Sequence, residues 1–372
     1  MDNNTDQQLL KYFLYLGATG FGGPLAIIHQ IRQEFVEKRK VIEASDFDQA
    51  FTLIKAMPGP IAIQLAIFCG KKLEGYTGAF KAAVGLVAPA FILMLLMALY
   101  YDQLTSINQV KTFFVGMQFS VAAVMLASLR PLVLPYKSDY IFWALLVLAG
   151  TLFYLKLFPE SLLIVGFGLV WILINHFKSK TSLVSVAWPA VFLFDADKLA
   201  EIFKTCFMAG ALVFGTGLAV FPFFQTAFVE KYQWLSISVF NDAVTFGQMT
   251  PGPVTISTTF MGFKMAGLWG AFVATTGLFL PPFLHISTWF IPALNWFKKQ
   301  KWVKTFLFGS TAAVVGCISV TVYKMNAIEL LNYKFWLIFL LSIFTLLRFK
   351  KISILSLLIA SGFLHLVLSF AA

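Results

Sequence analysis

Long apolar runs separated by short polar loops dominate the hydrophobic pattern of this chain. Most of the runs are long enough for a helix to cross the roughly 30 Å hydrocarbon core of a bilayer. The first half contains such runs at 9–31, 79–101, 112–134, 140–157 and 161–174. The pattern therefore predicts an all-α polytopic membrane protein.

One further apolar stretch is broken at its centre, and it occurs twice. It covers 47–72 with Pro58-Gly59-Pro60 in the middle, and 240–264 with Pro251-Gly252-Pro253. Each arm has roughly a dozen residues and reaches about 18 Å, which is too short to span alone. Because proline lacks the N–H and glycine adds freedom, a continuous helix through the triplet is not expected. The freed backbone groups need protein or water as partners, so each break predicts a wet cavity.

The two broken stretches belong to a larger internal repeat with a constant offset of 253 − 60 = 193 residues. Phe21-Gly22 returns as Phe214-Gly215, and the Phe-Val-Glu-Lys segment that contains Glu37 returns around Glu230. Such a tandem duplication is common in secondary transporters. It predicts two membrane repeats, residues 1–185 and 186–372.

The orientation of the repeats depends on whether the broken stretch crosses the membrane. With Lys55 set aside, 27 of the 28 Lys and Arg residues can be sorted by side. A re-entrant stretch with an outside N-terminus places 20 of them inside and 7 outside, whereas a crossing stretch gives 14 and 13. The positive-inside rule favours the first arrangement. We therefore predict two inverted repeats, each with about five transmembrane helices and one broken re-entrant segment.

Composition excludes several classes of protein. The hydrophobic content of 59% and mean hydropathy of +0.82 exclude an ordinary soluble domain. The net charge of +11 lies in short loops, so nucleic acid is not an expected partner. The three cysteines and four histidines show no metal-ligand spacing, and no cofactor motif occurs, so we expect neither a metal nor a cofactor. The polar N-terminus has no basic region or cleavage site of a signal peptide.

The breaks predict an anion site, because helices that begin there direct unpaired N–H groups and the positive end of their dipole at the cavity. Glycines in the first run of each half either allow close helix packing or form a second broken helix. Lys55 is the one ionisable residue near a break, although it could also snorkel to the surface. The candidate substrate-binding residues are Gly22, Gly23, Pro24, Lys55, Pro58, Gly59, Pro60, Gln64, Gly215, Gln248, Thr250, Pro251, Gly252, Pro253 and Thr255.

A second set of residues could carry protons. Its members are His29, Glu37, Asp48, Glu230 and Asp242. The alternative for the two glutamates is a cap or an ion pair with neighbouring Arg32, Lys38 or Lys231. His29 has no counterpart in the second half, where Pro222 takes its place, and a proton relay through it is a hypothesis.

The sequence resembles the chromate ion transporter family over nearly its whole length. The motifs that carry the resemblance are Phe-Gly-Gly-Pro at 21–24, Arg-x-x-Phe-Val-Glu-Lys at 32–38, Pro-Gly-Pro with Gln-Leu-Ala at 58–66, Phe-Gly-x-Gly at 214–217, Val-Glu-x-x-x-Trp-Leu at 229–235 and Gly-Gln-x-Thr-Pro-Gly-Pro-Val at 247–254. The resemblance implies the long two-domain form of the family, which exports chromate and is described as proton-coupled. Thr216 and Lys55 depart from the family pattern.

These features lead to one expectation and two alternatives. We expect a multi-pass secondary transporter of the bacterial inner membrane that exports chromate, is coupled to protons and confers chromate resistance. A carrier of sulfate or another anion with the same fold is the first alternative. An integral membrane enzyme or lipid-handling protein is the second, although no repeated catalytic cluster supports it. The expected partners are a chromate- or sulfate-like oxyanion and the lipid bilayer, with a homodimer left open.

Overall fold

A computed structural model describes residues 3–55, 57–176, 198–212, 217–290, 293, 296, 300–349 and 352–370. Helices and short turns account for the regular structure of these residues, and no strand occurs among them. This confirms the all-α fold. The predicted boundary between residues 185 and 186 lies outside the described residues.

The first repeat contains eight helices in the described part of the chain. They are α1 (Asn3–Thr19), α2 (Gly23–Arg32), α3 (Ala44–Ile54), α4 (Ile61–Thr105), α5 (Asn108–Ser128), α6 (Arg130–Val133), α7 (Tyr140–Tyr154) and α8 (Glu160–His176). A π-helical turn, Gln33–Lys38, continues α2, and a 3-10 turn, Leu134–Tyr136, follows α6.

The described part of the second repeat follows the same order. Its helices are α9 (Lys198–Leu212), α10 (Val220–Phe224), α11 (Ile237–Met249), α12 (Ser257–His285), α13 (Lys301–Asn326), α14 (Tyr333–Arg348) and α15 (Ile354–Phe370). π-Helical turns follow α10 at Gln225–Lys231 and α12 at Ile286–Phe290. Short 3-10 turns lie at Gly217–Ala219, Val254–Ile256 and Glu329–Leu331.

The first apolar run folds back on itself instead of crossing the membrane as one span. The Tyr12 hydroxyl on α1 donates to the Gln30 carbonyl on α2, 2.9 Å away. The Phe13 and Phe35 rings stack with centroids 5.7 Å apart. A continuous helix would separate these last two residues by about 33 Å, so α1 and α2 form a hairpin. The sequence predicts one membrane span over 9–31, whereas the structure has a hairpin there. The chain reverses at residues 20–22.

The broken stretch is the re-entrant segment that the sequence predicts. Asp46, in the first turn of α3, accepts a hydrogen bond from the Lys72 ammonium group near the end of the first arm of α4. The stretch therefore begins and ends at the same end of the helix bundle, with Pro58-Gly59-Pro60 at its deep tip. Gly59 has φ +110°, a conformation that favours glycine.

A sharp turn divides α4 into a short arm and a long arm. Gly75 has φ +65°, and the Gly70 and Gly78 backbones touch so closely that a Cβ on either would lie 2.2 Å from the other's carbonyl oxygen. α12 has the same turn at Gly267, φ +61°. The offset here is 267 − 75 = 192, so the second copy lacks one residue relative to the offset of 193 at the breaks.

The long arms of α4 and α12 run in opposite directions. Phe91 pairs with Phe272 and Phe80 pairs with Phe283, with ring centroids 4.9 and 6.5 Å apart, so the sequence numbers rise along one helix and fall along the other. Because these arms are equivalent in the two repeats, the repeats are inverted, as predicted.

The antiparallel packing defines two ends of the bundle. At the Arg32 end, Arg32 contacts Asp48, and Lys71 of the first repeat donates to the Ser287 carbonyl of the second. The Lys156 end contains Lys156, Glu230 and Lys324, together with an ion pair between the repeats in which Asp102 lies 2.7 Å from the Lys264 Nζ.

Helices of the two repeats also interdigitate. α5 packs against α14 and α15 of the other repeat, and α13 packs against α7 and α8. Small residues permit these contacts: Ser120 and Ser342 share a hydrogen bond of 2.8 Å, and the Ser310 hydroxyl donates to the Ile164 carbonyl.

Four described helical segments have the length and composition to cross a membrane: Ile61–Thr105, Asn108–Tyr136, Val254–Phe290 and Trp302–Asn326. Shorter apolar helices accompany them. The chain is therefore a multi-pass membrane protein.

Candidate functional site

The tips of helical hairpins that enter from opposite ends meet inside the bundle. The Gly252 N–H, in the second Pro-Gly-Pro triplet, donates to the Gly20 carbonyl at the tip of the α1–α2 hairpin, 3.1 Å away. A Cβ on Gly252 would lie 3.2 Å from the Ala90 side chain and 3.6 Å from the Gly17 carbonyl. This amide is therefore already bonded to protein, and the triplet is a contact between the repeats.

The first triplet also touches the other repeat. A Cβ on Gly59 would lie 3.1 Å from Pro282 of α12. The Gln64 amide, fully buried one turn after the break, donates to the Pro58 carbonyl and holds the tip closed. Its Oε1 atom has no hydrogen-bond partner among the described residues. The helix begins at Ile61, as predicted, so its first N–H groups lie at the break.

Four buried polar side chains around the second break lack partners within the described part of the chain. They are Gln248 through Nε2, Thr255 and Thr258 through Oγ1, and Ser257 through Oγ. Each is at least nine-tenths buried. All four atoms can donate hydrogen bonds, and Ser257 and Thr258 are the first two residues of α12. A buried polar group without a partner costs free energy, so this cluster has the chemistry of a site that an acceptor-rich ligand completes.

Nearby polar residues differ because they are already paired. The Thr259 hydroxyl lies 2.7 Å from that of Thr275, and the Thr250 hydroxyl donates to the Phe246 carbonyl. Thr250 also contacts the sulfur of Met94 in the first repeat at 3.3 Å. The unpaired donors are thus a specific subset of the polar residues that the sequence places beside the triplet.

Some candidates of the first repeat are exposed. Phe21 and Gly22 are exposed, and Gly22 and Gly23 have φ +107° and +77° before Pro24 starts α2. Lys55 is exposed too, and its Nζ lies 4.4 Å from the centroid of the Phe51 ring. The triplets themselves are largely buried: Gly59 and Pro60 in the first repeat, and Pro251, Gly252 and Pro253 in the second. Gly215 lies outside the described residues.

Four of the five proton-carrying candidates lie at the ends of the bundle. His29 is exposed. Glu37 and Asp48 both contact Arg32, the first at 3.4 Å. Glu230 is held by Lys156 and Lys324, each at 2.9 Å, so it forms ion pairs with lysines other than the neighbouring Lys231.

Asp242 is the buried member of this set. Its carboxylate accepts hydrogen bonds of 2.7 Å from the Tyr101 hydroxyl and from the Gln118 amide, both in the first repeat. It lines a cavity of about 190 Å³ together with Lys111, Ser236 and Ser238. This carboxylate therefore joins the repeats at the Lys156 end, beside space for water.

Sequence reasoning missed some members of the site. Tyr101 and Gln118 lie 141 and 124 residues from Asp242, and neither stands out from its apolar run. Ser257 and Thr258 were visible as polar residues after the triplet, yet their lack of partners depends on packing. In the described part of the chain, no group of three His, Cys, Asp or Glu side chains has the arrangement of a metal site.

Comparison with known proteins finds chromate transporters that match both repeats. A family model described as Chromate transporter matches residues 7–173 and 200–366, one match in each repeat. A "Probable chromate transport protein" of Synechococcus elongatus is 31% identical over 352 residues, which cover 91% of this chain and 88% of that protein. A "Chromate transport protein" of Cupriavidus metallidurans is 31% identical over 94% of this chain and 90% of its own length. An "Uncharacterized transporter" of Methanocaldococcus jannaschii is 27% identical over 95% and 92%. No solved structure matches.

Proposed function

This chain belongs to the chromate transporter family, and we propose that it is a proton-coupled secondary transporter that exports chromate across the inner membrane and confers chromate resistance. The family match also argues against an enzyme. The proposal extends to the direction of transport, its coupling and the residues that hold the anion.

The observation that carries the proposal is the set of unpaired donors at the second break. Chromate is a tetrahedral dianion with acceptor oxygens on every side. Gln248, Thr255, Ser257 and Thr258 together supply one amide and three hydroxyl donors. Hydrogen bonds to a charged ligand are worth about 1.5–3 kcal/mol each.

The meeting of hairpin tips supports alternating access. Tips from the Arg32 end and from the Lys156 end touch at Gly20 and Gly252. A small movement of one repeat against the other can therefore open the donor cluster to one end and close it to the other. The Arg32 end also carries Arg39 and Lys40. By the positive-inside rule, we therefore assign that end to the cytoplasm.

Outward movement agrees with the membrane potential. Moving one charge across 100 mV is worth about 2.3 kcal/mol, so a dianion gains about twice that when it leaves an inside-negative cell. Chromate export therefore needs no obligatory proton for its driving force. The role that we assign to protons is to control which end is open.

Transport in proteoliposomes tests the function directly. The purified protein is reconstituted, and the flux of radiolabelled chromate and of sulfate is measured in separate vesicles. We expect saturable chromate flux. Faster flux of sulfate would favour the alternative of a sulfate carrier, which the uncharged donor cluster also accommodates. Flux of neither anion by folded protein would reject the transport function.

Lys55 tests the access path from the Arg32 end. We expect Lys55→Gln to raise the half-saturation concentration for chromate presented at that end about threefold, because an exposed charge contributes roughly 0.2–1 kcal/mol. The maximal rate should stay the same. Lys38→Gln is the matched control, since Lys38 is also exposed at that end but lies beside Glu34. Equal half-saturation constants in both variants and the parent would remove Lys55 from the path.

Asp242 tests proton coupling. At saturating chromate, we expect Asp242→Asn to reduce the pH dependence of the flux from about tenfold per pH unit, the limit for one linked proton, to less than about twofold. Protonation should weaken the bonds that Asp242 accepts from Tyr101 and Gln118, whereas asparagine cannot change charge. Asp48→Asn, which removes an exposed carboxylate, is the control. An unaltered pH profile in Asp242→Asn would exclude this carboxylate as the coupling group.

A further inference from the structure

Glu160 is a buried carboxyl group that the transport site does not use. It is the first residue of α8 and is only 5% exposed. Its Oε2 atom has no hydrogen-bond partner among the described residues. A buried carboxylate oxygen without a partner is costly, and a bound proton removes that cost.

The charges around Glu160 form a defined cluster. Glu230 lies on the π-helical turn after α10, where its two oxygens are held by Lys324 of α13 and by Lys156 of the loop before α8, each at 2.9 Å. Because Glu230 occupies both lysines, no described ion pair reaches Glu160. The Thr226 hydroxyl and the Cys317 thiol also face Glu160. The cluster is neutral when Glu160 is ionised and carries one positive charge when it is protonated.

The cluster is also a joint between the repeats. Glu160 belongs to the first repeat, whereas Thr226, Glu230 and Lys324 belong to the second. At the other end, 160 + 193 = 353 is Ser353, and Glu37, the counterpart of Glu230, is exposed beside Arg32. The buried carboxyl therefore occurs at the Lys156 end alone among the described residues.

We propose that Glu160 is a second proton-binding site of the transporter, loaded from water at the Lys156 end. The inference rests on the proposed transport function. Lys156 has a side chain that is 66% exposed, so water reaches the edge of the cluster. The proton adds to Oε2, and the local charge rises from zero to +1. That charge draws chromate from the donor cluster towards the Lys156 end, which is the direction of export.

Glu160→Gln fixes the cluster in the charge state of the protonated form. In proteoliposomes we expect the half-saturation concentration for chromate at the Lys156 end to keep its low-pH value at all pH values. In the parent protein it should rise as pH increases, by up to about tenfold per pH unit. Infrared difference spectra between acid and alkaline pH should show a protonated carboxyl band that Glu160→Gln removes. Glu37→Gln, which changes an exposed and ion-paired carboxylate, should retain both signals.

Two outcomes would overturn the proposal: an unchanged infrared band, or an unchanged pH dependence with folded Glu160→Gln protein. If that variant does not fold, Glu160→Asp keeps the carboxyl group and should show the band at a shifted position; its absence would also reject the site. A response to sodium at constant pH instead of to protons would reject it as well. Persisting chromate flux in any of these cases leaves the transport function standing, so the two proposals fail separately.

Discussion

Replacement of Gly252 by leucine should reduce chromate flux by about a hundredfold while the protein still inserts into the membrane. Gly252 has φ +93°, which L-amino acids other than glycine rarely adopt. A Cβ there would also meet Ala90 of α4 at 3.2 Å and the Gly17 carbonyl of α1 at 3.6 Å. The leucine must push the two tips apart, and a displacement of about 1 Å at a reacting or binding centre can cost two orders of magnitude in rate.

The measurement is chromate flux in proteoliposomes at matched protein density, with size-exclusion chromatography as the test of folding. Gly59→Leu should behave similarly, because a Cβ on Gly59 would lie 2.5 Å from the Gln64 amide nitrogen and 3.1 Å from Pro282. Gly166→Leu is the matched control, since a Cβ on Gly166 of α8 meets no atom within 4 Å. Parent-like flux in both triplet variants would show that the breaks serve the fold alone.

Thr258→Val should raise the half-saturation concentration for chromate about tenfold or more. Valine keeps the shape of threonine but removes a buried donor that has no partner in the described part of the chain. If this donor binds the anion, its loss costs about 1.5–3 kcal/mol of binding free energy. Protein stability should hold or improve, because an unpaired polar group has been removed.

The neighbouring residue supplies the control for this variant. Thr259→Val removes a hydroxyl that is bonded to Thr275, so we expect about 1 kcal/mol lower stability and an unchanged half-saturation concentration. Calorimetric binding of chromate together with thermal unfolding separates the two effects. The opposite pattern, with affinity lost in Thr259→Val and kept in Thr258→Val, would move the anion away from the start of α12.

Local chemistry explains which parts of the fold could be predicted. The Pro-Gly-Pro breaks could be predicted because proline and glycine act on their own backbone. The repeat could be predicted because its motifs recur at one offset, and its inversion because the Lys and Arg residues sort to one side. The first apolar run was harder to interpret. Whether glycines at 20–22 kink a span or reverse it depends on contacts such as Phe13 with Phe35, which no local pattern specifies.

The candidate site was predictable in part for the same reason. Its location beside the breaks follows from helix length, and Asp242 was visible as a carboxylate in an apolar segment. Its partners Tyr101 and Gln118 come from the other repeat, so only the tertiary packing reveals them. Glu160 looks in the sequence like an ordinary acidic residue at the start of a helix. Its buried position depends on the turn that contains Glu230 in the second repeat, far along the chain.

The exchange of helices between the repeats also has a consequence for biogenesis. α5 is synthesised before α14 and α15, against which it packs. The small-residue grooves of the first repeat are therefore exposed to lipid until these two helices have been inserted. Two half-length polypeptides, expressed from separate genes, would have to insert in opposite orientations and find each other before either reached its final packing.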